Sequence, residues 1–285
     1  MLRDILISMR PHQWMKNVFV FAAIVFTGQM LVPPRVVTSL AVFVLFCALS
    51  GAGYLVNDLK DRPHDREHPR KRLRPIAAGR LPVWIALALA GTLAPLSLLG
   101  GFLVNPQVGW TLATYATLTL AYSAWLKQLL IVDVIAVALG YVLRVLAGGF
   151  SVEVTSTPWS LVCTFFLALM ISIGKRVGEK EAVGCIASQR AVLENYSKEF
   201  LNHMLLVAAM STITAYALFT FTSGKNVNLM LTIPFVVYGV LRYLWLVESR
   251  AAVDVPEILV LLDRPLLVNN VLWVILAVAT LYVAG

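Results

Sequence analysis

Three aspartates stand close together in a chain that is otherwise mostly apolar. Asp58, Asp61 and Asp65 are spaced at i, i+3 and i+7, so a helix would carry all three carboxylates on one face. Carboxylates held together repel one another, and a divalent cation relieves that repulsion. Mg²⁺ prefers carboxylate oxygens and is commonly completed by substrate phosphates. Residues 57–65 therefore predict a Mg²⁺–diphosphate site with Asp58, Asp61 and Asp65 as the metal ligands.

Two features of this segment leave alternatives open. Pro63 lacks the helix hydrogen-bond donor and clashes with the carbonyl of Leu59, so either the helix bends near Asp61 or a new short helix begins near Arg62. Both arrangements leave open whether Asp65 joins the other two ligands. The aspartates could also belong to a solvated loop in which neighbouring lysines and arginines balance their charge.

A basic run follows the acidic segment. Four of the five residues at positions 70–74 are Lys or Arg, which makes this stretch a strong anion-binding patch. Arginine forms bidentate phosphate contacts that lysine cannot form, so we predict that Arg72 and Arg74 contact a substrate phosphate. For Arg70 and Lys71, contact with acidic lipid headgroups is an equal alternative.

Membrane-spanning helices must position these residues. The 285 residues are 59% hydrophobic and 13% charged, whereas soluble domains have roughly 45–50% and about 25%. This composition excludes an ordinary soluble enzyme and a disordered chain. Apolar runs near the ~20 residues that a bilayer requires predict an all-α polytopic membrane protein with nine transmembrane helices in one domain, residues 1–285. The predicted spans are about 17–32, 36–56, 82–104, 107–126, 129–149, 158–174, 203–222, 229–247 and 267–284.

The charges predict how the chain is oriented. The net charge of +8 would suggest nucleic acid in a soluble protein, but here the positive-inside rule is the simpler cause, so no nucleic-acid partner is expected. With a cytoplasmic N-terminus, 20 of the 23 Lys and Arg residues fall inside and two fall outside. We therefore predict a multi-pass protein of the plasma membrane with its N-terminus and active site cytoplasmic and its C-terminus outside. The cytoplasmic loops would be about 57–81, 175–202 and 248–266.

Two charged residues belong to the fifth predicted span. Asp133 and Arg144 are eleven residues apart, close to three helical turns, so they lie on similar faces. A charge at the depth of Arg144 is costly in a bilayer. Either both residues line a polar cavity and contact substrate, or they form hydrogen bonds between helices without touching substrate.

The acidic segment resembles a known family. Residues 57–65, followed by Arg74-Pro75 and Gly79, resemble the first motif of the UbiA superfamily of intramembrane prenyltransferases. Further matches, to the branch that transfers phosphoribosyl groups to polyprenyl phosphates, lie at residues 10–17, 66–69, 122–127, 132–133, 140–149 and 174–179. The resemblance implies a nine-helix bundle around a cavity that opens to the cytoplasm. It also implies Mg²⁺ as cofactor, phosphoribosyl diphosphate as donor, a decaprenyl-like polyprenyl phosphate as acceptor and a possible homo-oligomer.

The resemblance also implies roles for particular residues. The implied catalytic residues are Asp58, Asp61, Arg72 and Lys127. The implied substrate-binding residues are Lys16, Asn17, Asn57, Arg66, Arg74, Tyr122, Asp133, Arg144, Lys175, Arg176 and Glu179. For Glu179, pairing with Lys175 at i,i+4 is an equal alternative.

One departure from the family bears on the donor. Ordinary members carry a second Asp-x-x-x-Asp motif between helices six and seven, where this chain has Lys175, Arg176, Glu179 and Glu181. The change toward bases suits a donor with an additional phosphate. Two alternatives remain open: transfer of a prenyl group from prenyl diphosphate to an aromatic acceptor, and a transporter or lipid flippase with a polar site near the bilayer midplane.

Overall fold

The computed structural model describes residues 1–69, 71–182, 191–224, 227–249 and 262–282. Within these residues the chain forms α-helices and short 3-10 helices and no strand, which confirms the predicted all-α class. The α-helices are α1 (Leu2–Met9), α2 (Ala22–Phe26), α3 (Pro33–Glu67), α4 (Val83–Val104), α5 (Pro106–Ala124), α6 (Val132–Ser151), α7 (Pro158–Ala182), α8 (Lys198–Thr222), α9 (Ile233–Ser249) and α10 (Arg264–Tyr282). Parts of the predicted 175–202 and 248–266 loops, and Arg70, lie outside the described residues.

Seven helices of the described chain are long and apolar enough to cross a membrane, whereas the sequence predicted nine spans. The seven are α3, α4 and α6 to α10, with α9 counted from Val227. The predicted span 107–126 does form a helix, the 19-residue α5, but four threonines make it more polar. Thr111, Thr114 and Thr117 satisfy their hydroxyls by donating to the carbonyls four residues earlier in the same helix. The chain is therefore a multi-pass membrane protein.

The first predicted span, 17–32, is not a single α-helix. A 3-10 helix covers Pro11–Phe21 and continues directly into α2, and Gly28 then turns the chain with φ at 73°. A 3-10 helix rises about 2.0 Å per residue, against about 1.5 Å for an α-helix. The 16 residues from Pro11 to Phe26 therefore extend roughly 30 Å, about the thickness of the bilayer hydrocarbon. Because the 3-10 helix rises more per residue, fewer residues span the hydrocarbon thickness than an α-helix would need.

Helix α3 extends farther than predicted. It continues from Pro33 to Glu67 with Pro63 inside it, so the cytoplasmic loop does not begin at residue 57. No new helix starts near Arg62. The continuous helix places Asp58, Asp61 and Asp65 on one element, as their spacing indicated.

The residue contacts divide the chain into two compact units. The first unit comprises Met1–Ile24, Gln29–Ala124 and Leu143–Thr155. Its core is built from α3, α4 and α5 and contains Phe46 and Leu112, both fully buried. In this unit the 3-10 segment meets the end of α6 so closely that a side chain at Gly148 would collide with the carbonyl oxygen of Val20.

The second unit comprises Val25–Gly28, Trp125–Val142 and Ser156–Gly285. Helices α7 and α8 pack along each other, and α9 joins them in a core that includes Ile173 and Leu201. A carboxylate fixes the start of α10, because Asp263 accepts the backbone N–H of Leu266 at 3.0 Å. The same carboxylate accepts two hydrogen bonds from the Arg242 guanidinium, at 3.1 and 2.9 Å.

Candidate active site

Two of the three predicted metal ligands lie in an ion-pair cluster within the first unit. The Oδ1 atom of Asp58 accepts hydrogen bonds from Arg10 at 2.6 Å and from Arg74 at 3.2 Å. Arg74 donates to both aspartates through Nη1, which also lies 2.7 Å from Asp65 Oδ2. Both aspartates are 3% exposed, whereas the two arginines are about a quarter exposed. We call Arg10, Asp58, Asp65 and Arg74 the Asp58 cluster.

Local backbone geometry places each arginine of the Asp58 cluster. Arg10 ends α1 in the left-handed conformation, with φ at 53°, and its guanidinium lies 4.9 Å from the centre of the Tyr54 ring. Arg74 follows a short 3-10 turn, and its carbonyl accepts the N–H of Ala78 at 2.8 Å. Gly79 closes this loop with φ at 75°, a conformation that favours glycine.

Asp61 is held differently from the other two aspartates. Its Oδ2 accepts a hydrogen bond from Asn57 Nδ2 at 3.0 Å, one turn earlier on α3. Between them, Lys60 reaches out and donates to the carbonyls of Ser123 and Ala124, where α5 ends. Asn57, a predicted substrate-binding residue, therefore contacts the carboxylate of a predicted catalytic residue.

The chemistry of the aspartates fits a Mg²⁺ ion. All three offer hard carboxylate oxygens, and Asp58 and Asp61 lie about one turn apart on the same helix. The described residues contain no group of three or more His, Cys, Asp or Glu side chains that could hold a metal by themselves. An ion held here would complete its coordination with water and substrate phosphate oxygens, which is the usual manner of Mg²⁺.

Arg144 takes part in a second buried network of the first unit. Its Nε donates to Asn17 Oδ1 at 2.7 Å and its Nη2 donates to the Tyr115 hydroxyl at 2.9 Å. Asn17 is fully buried and also donates to Cys47 Sγ at 3.2 Å. For Arg144 this geometry favours the alternative of hydrogen bonding between helices, and Asn17, which was also predicted to bind substrate, belongs to the same network.

A third network lies in the second unit around Asp133, which is fully buried. Asp133 Oδ2 accepts a hydrogen bond from Arg176 Nε at 2.7 Å, and Arg176 Nη1 donates to Glu179 Oε2 at 2.7 Å. Glu179 therefore pairs with Arg176. Asp133 lies 43 positions before Arg176 in the sequence, and the resemblance indicated both of them as well as Glu179.

Tyr196 completes the network around Asp133. Its hydroxyl donates to Asp133 Oδ1 at 2.8 Å and accepts the backbone N–H of Ile131 at 2.7 Å. Burial, together with the hydrogen bond to the Asp133 carboxylate, raises the pKa of Tyr196 well above its usual value. The phenol therefore stays protonated near neutral pH and can donate to the carboxylate.

The remaining predicted site residues occupy more accessible positions. Arg66 and Arg72 are exposed, and Arg66 Nε donates to the Ala77 carbonyl at 3.3 Å. The others are half-buried: Lys16, Tyr122, Lys127 and Lys175. Their roles stay predictions.

No role was predicted from the sequence for Arg10, Tyr115 or Tyr196. Arg10 lay inside the matched segment 10–17 and could have been selected as a cation near that motif. Tyr115 and Tyr196 had no local signal, since each contacts a charged residue at a sequence distance of 29 or 63 positions.

Comparison with known proteins shows which family the chain matches. A model of the UbiA prenyltransferase family matches residues 17–262. The decaprenyl-phosphate phosphoribosyltransferase of Mycolicibacterium smegmatis is 33% identical over 284 residues, which cover 94% of this chain and 89% of that protein. The protein of the same name from Corynebacterium glutamicum is 34% identical over 289 residues, covering 97% and 86%.

Solved structures show the same fold. A UbiA homologue from Archaeoglobus fulgidus, bound to DMAPP and Mg²⁺, superimposes with a TM-score of 0.76 at 20% identity, covering 98% of this chain and 99% of that one. The structure of a digeranylgeranylglyceryl phosphate synthase matches with a TM-score of 0.69 at 15% identity. Both matches extend over nearly the whole chain, so the predicted helical fold is confirmed.

Proposed function

Because this chain belongs to the UbiA prenyltransferase family, we propose that it transfers a 5-phosphoribosyl group from phosphoribosyl diphosphate to a polyprenyl phosphate. One observation carries the proposal: the chain is 33–34% identical, over at least 94% of its length, to decaprenyl-phosphate phosphoribosyltransferases of several actinobacteria. The products would be polyprenylphosphoryl-5-phosphoribose and diphosphate.

The Asp58 cluster is where we place the diphosphate of the donor. Mg²⁺, when bound by Asp58 and Asp61, would supply positive charge that stabilises the leaving diphosphate. Arg10 and Arg74 both lie against the Asp58 carboxylate and carry donors suited to phosphate oxygens. These arginines also neutralise Asp58 and Asp65, which would otherwise be buried, uncompensated charges.

The reaction needs little acid–base help from the protein. A phosphate oxygen of the acceptor forms a bond to the anomeric carbon of the ribose, and the bond from that carbon to the diphosphate breaks. We expect inversion at this carbon, from an α-donor to a β-product. A phosphate monoester has a second pKa near 6, so the nucleophile is largely dianionic at pH 7. The chain's task is therefore to orient the two phosphates and to stabilise the leaving group.

Further phosphate contacts are proposed for residues outside the Asp58 cluster. Arg72 is exposed beside the cluster in sequence, and we assign it to the leaving diphosphate. Lys127 and Lys175 are half-buried cations, and we assign them to phosphate groups of the donor. Each assignment can be tested by the effect of an alanine variant on the KM for the donor.

The membrane location follows from the acceptor. A polyprenyl tail stays in the lipid, whereas the sugar donor is soluble, so the reaction must take place at a membrane boundary. The distribution of Lys and Arg favours the cytoplasmic boundary. We therefore propose that the N-terminus and the Asp58 cluster are cytoplasmic and that the C-terminus is outside.

Prenyl transfer is the competing activity within the family, since the Archaeoglobus fulgidus homologue of the same fold binds DMAPP. The segment that follows Ile173 separates the two activities, because it carries basic residues at Lys175 and Arg176 where prenyltransferases have a second acidic motif. Lys175 is half-buried and suits a donor with an additional phosphate, whereas Arg176 is buried and pairs with Asp133 and Glu179. The transporter alternative is not favoured, since the relatives named above are transferases.

A direct assay tests the proposed function. Purified protein in detergent micelles is incubated with phosphoribosyl diphosphate labelled in the ribose, with decaprenyl phosphate, and with Mg²⁺ or EDTA. We expect label in the lipid fraction only when Mg²⁺ and acceptor are both present. Label that stays in the aqueous phase, with prenyl transfer from a prenyl diphosphate instead, would replace this proposal by the competing activity.

Two variants of helix α3 assign the metal role. Asp61→Asn is expected to lower the Mg²⁺-dependent rate at least a hundredfold, because a metal-held leaving group loses a charged ligand. Glu67→Gln is the matched control, since it removes an exposed carboxylate from the same helix, two residues beyond Asp65. Equal rates in the two variants would show that Asp61 does not hold the metal.

A further inference from the structure

Tyr196 lies where two helices of the described chain meet the turn at Ile131. It stands between a short 3-10 helix, Ala191–Asn195, and the start of α8. Its ring is buried in the core of the second unit and stacks on Phe200, with centroids 6.3 Å apart. A phenol offers one proton and can accept another. Here the Tyr196 O–H donates a hydrogen bond to Asp133, and its oxygen accepts one from the backbone N–H of Ile131. The hydroxyl is therefore used both as donor and as acceptor.

The backbone at Ile131 is strained. Its φ is 69°, and the turn around it is closed by a hydrogen bond from the Val132 N–H to the Leu130 carbonyl at 2.8 Å. Turns of this three-residue kind are rare, and a β-branched residue in the left-handed region is an outlier. Strain of this kind persists only where the surroundings hold it in place, and it clusters at functional sites.

The surroundings of this turn supply such a hold. Tyr196 accepts the N–H of Ile131 and donates to Asp133, two residues farther along. The other oxygen of Asp133 accepts Arg176 Nε at 2.7 Å, so the carboxylate itself is fixed by α7. On the other side of the turn, the 3-10 helix Leu126–Gln128 carries Lys127.

We propose that Tyr196 is a positioning residue: its hydroxyl holds the strained turn at Ile131 and thereby fixes the place of Lys127, which contacts a phosphate of the donor. This inference rests on the proposed function, because Lys127 needs a phosphate to bind. Tyr196 itself touches no substrate. Its effect passes along the backbone from Ile131 to Lys127, which lies four positions earlier in the chain.

The competing interpretation is that Tyr196 only stabilises the core. A second buried tyrosine of the same unit provides the matched control. The Tyr216 hydroxyl is bonded to Thr232 at 2.6 Å and accepts Trp273 Nε1 at 2.9 Å, remote in sequence from the Lys127 segment. Tyr196→Phe and Tyr216→Phe thus each remove one buried, bonded hydroxyl and keep the ring.

The first experiment measures backbone hydrogen exchange of the full-length protein in detergent micelles. Tyr196→Phe should raise the exchange rate of residues 126–131 about fivefold, the effect of one hydrogen bond. Tyr216→Phe should leave these residues at the wild-type rate. Unchanged exchange at 126–131 in Tyr196→Phe would overturn the proposal, whether or not the protein is an active transferase.

The second experiment is a double-mutant cycle on the KM for phosphoribosyl diphosphate. Tyr196→Phe should raise this KM about fivefold with little change in kcat, and it should have no further effect when Lys127 is already alanine. A residue that only stabilises the core would change both backgrounds equally, which would overturn the proposal. Failure of the wild-type protein to transfer label would refute the proposed function instead, and the exchange measurement would still decide whether Tyr196 holds the turn.

Discussion

Replacing Asp133 with asparagine should strongly destabilise the protein. Asp133 is fully buried, and its partner Arg176 is 3% exposed, so their 2.7 Å ion pair lies away from water. Removing one member of a buried pair leaves the other as an uncompensated charge, which costs about 3–5 kcal/mol. The asparagine oxygen can still accept one hydrogen bond, and Glu179 keeps its own bond to Arg176. We therefore expect the lower end of the range, about 3 kcal/mol.

The magnitude can be read from equilibrium unfolding of the purified protein in mixed detergent micelles. A loss of about 3 kcal/mol corresponds to a more than hundredfold larger unfolding constant. Glu67→Gln, which removes an exposed carboxylate, should stay within about 0.5 kcal/mol of the wild type.

A charge-free pair separates the loss of the ion pair from a loss of packing. The double variant Asp133→Asn with Arg176→Met removes both charges and keeps a side-chain oxygen that can accept the Tyr196 O–H. Charge-free replacements of a buried pair are often neutral or even stabilising. The double variant should therefore be more stable than Asp133→Asn alone. The reasoning would be refuted if Asp133→Asn unfolded like the wild type, or if the double variant lost the sum of the two single effects.

Three further predictions concern single residues. Gly148→Ala should lower stability by about 3 kcal/mol or abolish folding, because the new methyl group collides with the backbone of Val20; expression and monodispersity in detergent would show this. Tyr115→Phe should cost about 1.5–3 kcal/mol in the same unfolding assay, since Arg144 loses a buried hydrogen-bond acceptor. Because the pKa of Tyr196 is raised in the folded protein, its contribution to stability is fully present below about pH 10 and is lost as the pH rises further. Tyr196→Phe should therefore lose less stability than the wild type between pH 9 and pH 11, which unfolding at both pH values would measure.

The helical architecture could be predicted largely from apolar patterning. A bilayer forces backbone polar groups to bond within a helix, so long apolar runs can hardly form anything else. The expected length of about 20 residues per span assumes a rise of about 1.5 Å per residue. This length is inaccurate where the chain forms a 3-10 helix, at Pro11–Phe21. Helix α3 also passed through Pro63 without ending, although a proline inside a helix usually signals a boundary.

The candidate site was only partly predictable. The spacing of Asp58, Asp61 and Asp65 is a local property, and the structure places all three on α3. The partners of these side chains are not local, because Arg10 meets Asp58 across 48 positions. Local sequence does not encode such pairings, since tertiary packing chooses the partner.

The same distinction explains the two residues of the fifth predicted span. Their spacing of eleven positions indicated similar faces of one helix, and both side chains are indeed buried. Asp133 nevertheless bonds to Arg176 and Tyr196, whereas Arg144 bonds to Asn17 and Tyr115. The partners in each network lie on other segments of the chain, so the helical period of α6 could not indicate them.

The most direct test of the proposed activity is the transfer of labelled ribose phosphate into lipid by the purified wild-type protein. With decaprenyl phosphate, phosphoribosyl diphosphate and Mg²⁺ present, we expect a labelled lipid and one diphosphate released for each group transferred. Mg²⁺-dependent release of diphosphate without labelled lipid, or transfer that continues unchanged in EDTA, would contradict this expectation.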